Sequence, residues 1–301
     1  MNQPYINPFR GFGVALVTPF KENGEVDYDA LRRLVEMQVE NGVDFLCVLG
    51  TTAETPTLSR QERLAIRQTV VLATDHRIPL LLGAGGNNTQ AICDELESDD
   101  LEGFQGVLIV CPFYNKPSQE GLFQHFMAIS RASHLPIVIY NIPGRTGVNL
   151  DEKTLCRIVE SAPNVVAIKE AAGKLEQIDR FVKATPPRFE VLCGDDALAY
   201  DALKDGATGV ISVVGNAYPK LFGEMVHQTI KRNYIVAERI NQQLQDFYKL
   251  MMLEGNPAGI KCLLKKLGLS ENKLRLPLVP VSPLTSSLID LAAHTLDSAD
   301  K

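Results

Sequence analysis

The sequence contains no tryptophan, and its five histidines (His76, His125, His134, His227 and His294) fall in stretches of helical pattern or at their ends. A Ser-His triad or a histidine-rich metal site needs imidazoles gathered at one mouth, so the pattern disfavours both chemistries. The six cysteines (Cys47, Cys93, Cys111, Cys156, Cys193 and Cys262) show no Cys-x-x-Cys spacing, and Cys47, Cys111 and Cys193 lie in or just beyond apolar, strand-like runs. They read as small buried hydrophobes in a reducing compartment, neither metal ligands nor bridges. No apolar run approaches the length of a membrane span, and the start MNQPYINPFR has no apolar signal core, so a cytoplasmic protein is expected. Basic excess is also missing. A formal net charge of -6 argues against nucleic acid and anionic membrane as partners, while a local basic funnel for a small acid stays open.

What is present is an ordinary globular composition, with 45% hydrophobic and 22% charged residues in a chain of 301, enough for one large domain or a domain with an appendage. The chain alternates. Phe12 to Thr18 reads as a buried strand, and after the Asn23-Gly24 turn Asp27 opens a helix that Asn41-Gly42 ends. Further strand-like runs cover 45–49, 79–83, 106–111, 136–140, 165–169, 189–193 and 208–213, with helices between them, several opened by capping residues such as Ser59 and Ser118. Eight such runs alternating with helices predict a (β/α)₈ TIM barrel, with a doubly wound sheet as the alternative, since pattern alone does not reveal closure. From Asn233 onward only helical periodicity remains, so the expected division is a catalytic barrel at 1–232 and a C-terminal helical domain at 233–301.

One residue is out of keeping with its surroundings. Lys169 ends the apolar run Val165-Val166-Ala167-Ile168, which reads as a strand buried on both faces. A buried ammonium is either paired, reaches water, or is held partly neutral, and only the neutral amine is a nucleophile able to form a Schiff base with a ketone or aldehyde. Pairing with Glu170 or snorkelling at the strand end remains the plain alternative. In a barrel, active-site residues come from the carboxyl ends of the strands. Those positions hold Thr51 and Thr52, Gly83 to Asn87, Tyr114, Tyr140, Arg145, Lys169, Gly194 and Ile211. The Gly83-Ala84-Gly85-Gly86 stretch lacks the third glycine of a dinucleotide loop and reads as a tight turn, with Asn87 or Asn88 capping the next helix. A lysine imine with a keto acid is an electron sink that needs a proton shuttle and a carboxylate anchor. Tyr140 can serve as the shuttle, the Thr51-Thr52 hydroxyls and N–H groups as an anchor, and Arg145 as a second carboxylate clamp.

The motifs Gly50-Thr51-Thr52-Ala53-Glu54, Tyr114-Asn115-Lys116-Pro117-Ser118, Tyr140-Asn141-Ile142-Pro143-Gly144-Arg145-Thr146-Gly147, Ile168-Lys169-Glu170-Ala171 and Gly194-Asp195-Asp196 resemble the dihydrodipicolinate synthase (4-hydroxy-tetrahydrodipicolinate synthase) family from about Gly11 to Pro283. The resemblance implies a TIM barrel with a C-terminal helical domain, a homotetramer built as a dimer of dimers, and a lyase that condenses pyruvate with aspartate semialdehyde in lysine biosynthesis. No external cofactor is implied, since the imine on Lys169 carries the chemistry. Tyr140 is implied as proton donor and acceptor, and Thr51 and Tyr114 as a hydroxyl relay in which Tyr114 enters a neighbouring subunit's site. Thr52, Ile211 and Gly194 are implied at the pyruvate site and Arg145 at the semialdehyde carboxylate. Sialic-acid lyases and sugar-acid aldolases share the lysine and tyrosine, but Arg145 suits a small acid better than a polyol, and a non-catalytic keto-acid-binding barrel needs no amine. Two departures stand out: Ala53 replaces the family's usual glycine, and Phe113, Arg60 and Ala91 stand where lysine-inhibited members carry tyrosine, histidine and glutamate. Weak or absent inhibition by lysine is therefore expected.

Overall fold

The computed structural model describes residues 7–99 and 101–299. The expected absence of a signal core concerns a segment of which residues 1–6 lie outside the described residues, as does the end of the expected C-terminal domain. Eight parallel strands close into a barrel in chain order: β1 Gly11–Ala15, β2 Phe45–Val48, β3 Leu80–Ala84, β4 Gly106–Val110, β5 Ile137–Asn141, β6 Val165–Glu170, β7 Glu190–Cys193 and β8 Gly209–Ser212. Hydrogen-bonded pairing of β1 with β8 settles closure and removes the doubly wound alternative.

Period-two alternation sends each strand's side chains to two different cores. Inward, Phe45, Leu81, Leu108, Val138, Ala167, Leu192 and Ile211 fill the barrel together with Phe9, whose ring meets Phe45 edge-on with centroids 5.5 Å apart. Outward, residues such as Phe12, Val14, Leu46, Val107, Ile139 and Ile168 pack beneath the helical ring. Burying each of the Val, Leu, Ile and Phe side chains among these contributes roughly 1.5–3 kcal/mol.

The helices are α1 Tyr28–Glu40, α2 Arg60–Thr74, α3 Thr89–Ser98, α4 Gln119–Ala132, α5 Pro143–Thr146, α6 Glu152–Ser161, α7 Leu175–Ala184, α8 Ala199–Lys204 and α9 Pro219–Ile230. Five of them, α1 to α4 and α6, start on a capping side chain. Asp27 accepts from Ala30, Ser59 and Glu62 form a reciprocal capping box, and Ser118 and Asp151 accept from the third residue of α4 and α6. Asn88, rather than Asn87, caps α3. After the barrel come α10 Tyr234–Leu253, α11 Ala258–Lys266 and α12 Pro283–Ala299, with α10 packed along α9.

The first strand is shorter than the apolar run that announces it. After a last ladder bond from the Leu16 N–H to Cys47 O at 3.0 Å, a side chain takes over: Asn216 Oδ1 accepts the Val17 N–H at 3.0 Å while its Nδ2 donates to Ala15 O at 2.8 Å. The chain then turns back at Asn23-Gly24, held by a bridge between Phe20 and Val26.

At the opposite end of the barrel, Asp44 Oδ2 accepts the Phe12 N–H at 2.6 Å and pairs with His227 Nε2 of α9 at 2.7 Å. The Asp44 hydrogen bond raises the His227 pKa, against partial burial. Because the folded value lies above the unfolded one of about 6.5, this stabilisation is complete below that pH and disappears as pH rises through the folded value. Denaturant midpoints at about pH 5.5 and about pH 8.5 are therefore expected to differ more in the wild-type protein than in His227→Gln, and equal differences would remove the pair from the stability account.

Candidate active site

Tyr140 of β5 and Lys169 of β6 are register partners, so the alternation that sends Val138 and Ala167 inward sends this pair inward as well. Both are buried, and Lys169 Nζ lies 4.4 Å from the centroid of the Tyr140 ring. Among the described residues no carboxylate is within ion-pair distance of this amine. Glu170, the partner offered by the plain reading of the sequence, faces the other way. It accepts from Asn141 Nδ2 and the Ala172 N–H at 2.8 and 2.7 Å, and burial pushes its carboxyl upward against those bonds. Cys47 shares the barrel interior, and burial lifts its thiol to about 11 despite the nearby Lys169 charge, so it stays protonated.

The same register places Asn141 opposite Glu170 on the outer face. Asn141 Oδ1 also accepts the Leu150 N–H at 3.0 Å, and its Nδ2 reaches Asn149 Oδ1 at 2.8 Å. Behind the Tyr140–Lys169 pair, therefore, a buried polar network spans the two strands and the segment entering α6.

After β2 the chain forms the tight turn Thr51–Ala53, bounded by two residues in left-handed conformation, Leu49 at φ 58° and Glu54 at φ 54°. Gly83 permits it: a Cβ there would sit 2.3 Å from Leu49 O and 2.9 Å from Gly50 N. Among the described residues the N–H groups of Thr51 and Thr52 donate to no protein acceptor, which suits them to an incoming carboxylate. Thr51 lines the cavity. Thr52 is buried, and its Oγ1 accepts from Asn256 Nδ2 at 2.9 Å, so that hydroxyl is already engaged at the foot of the turn.

The cavity at this mouth measures about 540 Å³, and its lining includes Leu49 to Thr51, Tyr140, Arg145 and Asn256 together with Arg63, Arg67, Glu95 and Phe113. Arg145 sits on α5 and donates to Asn256 O at 3.3 Å. Ile211 belongs to the inner cluster that includes Tyr140. Gly194 leaves room for the amine, since a Cβ there would meet Lys169 Cε and the Ala171 methyl, each at 2.8 Å. Lys169 does not line this cavity itself; the Tyr140 ring does. Tyr114 is not brought to it either, being 88% exposed in a left-handed backbone at φ 74°. No group of three or more His, Cys, Asp or Glu side chains among the described residues is placed to hold a metal ion.

The sequence reading missed the contribution of the C-terminal segment. Besides Asn256, Lys261 of α11 pairs with Glu54 at 2.5 Å, and Arg275 binds Glu62 and donates to Gly24 O and Thr57 O. The break at Gly255-Asn256-Pro257 marks a loop, and nothing local in it points to a threonine two hundred residues earlier. Arg60 pairs with Asp99 at 2.6 Å and does not line the cavity, whereas Arg63 and Arg67 do. Ala91 lies in the first turn of α3, while Glu95, one turn later, is engaged by Arg67 at 3.4 Å.

Comparison with known proteins gives a consistent result. The profile of the Dihydrodipicolinate synthetase family matches residues 8–289. The 4-hydroxy-tetrahydrodipicolinate synthase of Parabacteroides distasonis is 50% identical over 276 residues, covering 92% of this chain and 93% of that protein. That of Phocaeicola vulgatus is 49% identical over 271 residues, covering 90% and 91%. Among solved structures, dihydrodipicolinate synthase from Thermotoga maritima superimposes with a TM-score of 0.94 at 42% identity over 97% of this chain and 99% of that one. Its counterpart from Aquifex aeolicus gives 0.92 at 37% identity, covering 96% and 98%.

The clearance at Gly194 makes a local prediction. Gly194→Ala is expected to retain its circular dichroism spectrum yet slow borohydride-trappable imine formation with a keto acid by about tenfold or more, because the amine is displaced from its line of attack. An unchanged trapping rate would mean that the lysine reaches its position by another route.

Proposed function

The chain belongs to the Dihydrodipicolinate synthetase family, and from that premise we infer that it is a lyase, a 4-hydroxy-tetrahydrodipicolinate synthase that condenses pyruvate with aspartate semialdehyde through a lysine imine. The observation that carries the residue assignment is the inward pair Tyr140–Lys169 on adjacent strands, with an amine that has no carboxylate partner among the described residues. Lys169, when neutral, adds to the pyruvate carbonyl, and loss of water leaves a carbon–nitrogen double bond. Tyr140 is assigned to carry protons during that addition and to take one from the pyruvate methyl, giving an enamine whose carbon attacks the aldehyde carbon of the second substrate. The amino group of the semialdehyde then adds to the imine carbon, closes the ring and returns Lys169 as a free amine. The reaction needs no external cofactor.

The roles around that pair follow from their chemistry. The free N–H groups of Thr51 and Thr52 are assigned to the pyruvate carboxylate, with the Thr51 hydroxyl relaying protons. Ile211 supplies the apolar floor and Gly194 the clearance. Arg145 is assigned to the semialdehyde carboxylate, and this cation at the rim favours the synthase over sialic-acid lyases and sugar-acid aldolases, whose second substrates are polyols. Exposure of Tyr114, away from its own cavity, supports a homotetramer in which this phenol completes the relay of a neighbouring subunit. The division into a barrel at 1–232 and a helical domain at 233–301 is proposed with it. A cytoplasmic location is proposed from the similarity to biosynthetic synthases; no helix among the described residues is long and apolar enough to cross a membrane.

Borohydride added with pyruvate is expected to leave a covalent adduct on Lys169, abolished in Lys169→Ala, and the reduced enzyme, its lysine held as a secondary amine, is expected to be inactive toward aspartate semialdehyde. Unreduced enzyme should consume pyruvate with aspartate semialdehyde but not with N-acetylmannosamine. A non-catalytic binder gives no adduct, and an aldolase reverses the substrate preference. Inhibition by lysine is expected to be weak, because Arg63 and Arg67 face the cavity and Glu95 is already engaged by Arg67. Half-inhibition by micromolar lysine at saturating pyruvate would overturn that expectation.

A further inference from the structure

Lys261 is the most deeply buried lysine among the described residues, with no exposed surface, yet it lies on α11, outside the barrel. Its Nζ sits 2.5 Å from Glu54 Oε1, donates to Lys273 O at 2.9 Å and stands 4.0 Å from the centroid of the Phe20 ring. The carboxylate it meets is almost as buried and also accepts the Arg275 N–H on Oε2 at 3.0 Å. Glu54 is the left-handed residue that closes the Thr51–Ala53 turn, and its own N–H donates to Thr51 O at 3.2 Å.

A buried ion pair is a poor stabiliser, since apolar side chains of similar volume serve as well or better. A strained backbone conformation, in turn, persists only where surrounding groups over-determine it. Both features meet at one residue, at the edge of the turn that presents free N–H groups to the cavity. We propose that Lys261 is a positioning residue for the reaction: its ammonium, acting through the Glu54 carboxylate, holds the Thr51-Thr52 turn in the geometry that receives the keto-acid carboxylate. This rests on the assignment of that turn to pyruvate.

The charged groups facing Lys261 are Glu54 from the turn and Arg275 from the segment between α11 and α12, while Phe20 from the loop after β1 offers only a ring. Burial lowers the Lys261 pKa to about 8, opposed by Glu54 and reinforced by Arg275. As pH rises through that value the ammonium is lost, Glu54 is left without its partner and the turn loosens.

The test is steady-state kinetics on the full-length enzyme from about pH 7 to about pH 9.5, with KM for each substrate resolved. Wild type should show a pyruvate KM that climbs above about pH 8. Lys261→Met should raise the pyruvate KM by about tenfold or more at pH 7, leave the semialdehyde KM within about threefold, and remove the alkaline climb. Glu54→Gln, which keeps volume and an acceptor oxygen, should raise the pyruvate KM by about threefold and also flatten the profile. A purely structural role would lower the yield or melting temperature and leave the pyruvate KM of the folded enzyme within about twofold of wild type, which overturns the proposal. Should neither variant fold, a wild-type pyruvate KM that is level across this range overturns it equally. Absence of a borohydride adduct on Lys169 in the wild type would instead remove the underlying assignment of function, whereas an intact adduct with an unmoved pyruvate KM removes only the role of Lys261.

Discussion

The register between β5 and β6 is the constraint on which the site depends. Because the side-chain period of a strand is two, the pairing of Tyr140 with Lys169 inside obliges Asn141 to face Glu170 outside. The inner pair brings phenol and amine together, and the outer pair closes a hydrogen bond across the same two strands. A slip by one residue would send the amine into the helical layer and bring a carboxylate into the barrel. The buried network of Asn141, Asn149 and Glu170 ties the register to the segment that leads into α6. The Tyr140–Lys169 pair is thus held from behind by groups on the opposite face of the same strands.

The second constraint is long-range. The barrel supplies the amine and the phenol, but the turn that offers free N–H groups is braced by residues from beyond the barrel. Asn256 engages Thr52, Lys261 engages Glu54, and Arg275 ties Glu62 at the start of α2 to the loop around Gly24. Arg275 also lies 4.5 Å from the centroid of the Phe20 ring, so two cations flank one aromatic residue beneath the turn. The C-terminal helices therefore form part of the architecture of the mouth. This accounts for a left-handed glutamate in a place where glycine would meet no backbone strain.

Close approach works by subtraction at the same mouth. Gly83 lets β3 pass against the carbonyl of Leu49, and Gly194 leaves volume for the lysine stem. In both cases the missing side chain admits a functional group, and the cost in chain entropy is accepted locally because the surrounding strands are buried and rigid.

Much of this was legible in the chain itself. Eight apolar runs alternating with capped helices announced the barrel, because strand and helix periods are local properties of the sequence. Lys169 stood out because an ammonium at the end of a Val- and Ile-rich run needs an explanation, and the threonine pair, Tyr140 and Arg145 fell at strand ends where such barrels place their chemistry. Tertiary structure alone decided closure between β1 and β8, the outward turn of Glu170 that leaves Lys169 without an ion-pair partner, and the early end of β1, where Asn216 takes over the ladder. It alone revealed Asn256, Lys261 and Arg275 as neighbours of the Thr51–Ala53 turn. The reason is physical: periodicity and capping are encoded within a few residues, whereas the partner of a buried charge is chosen by how distant segments pack, and no local pattern in the sequence carries that choice.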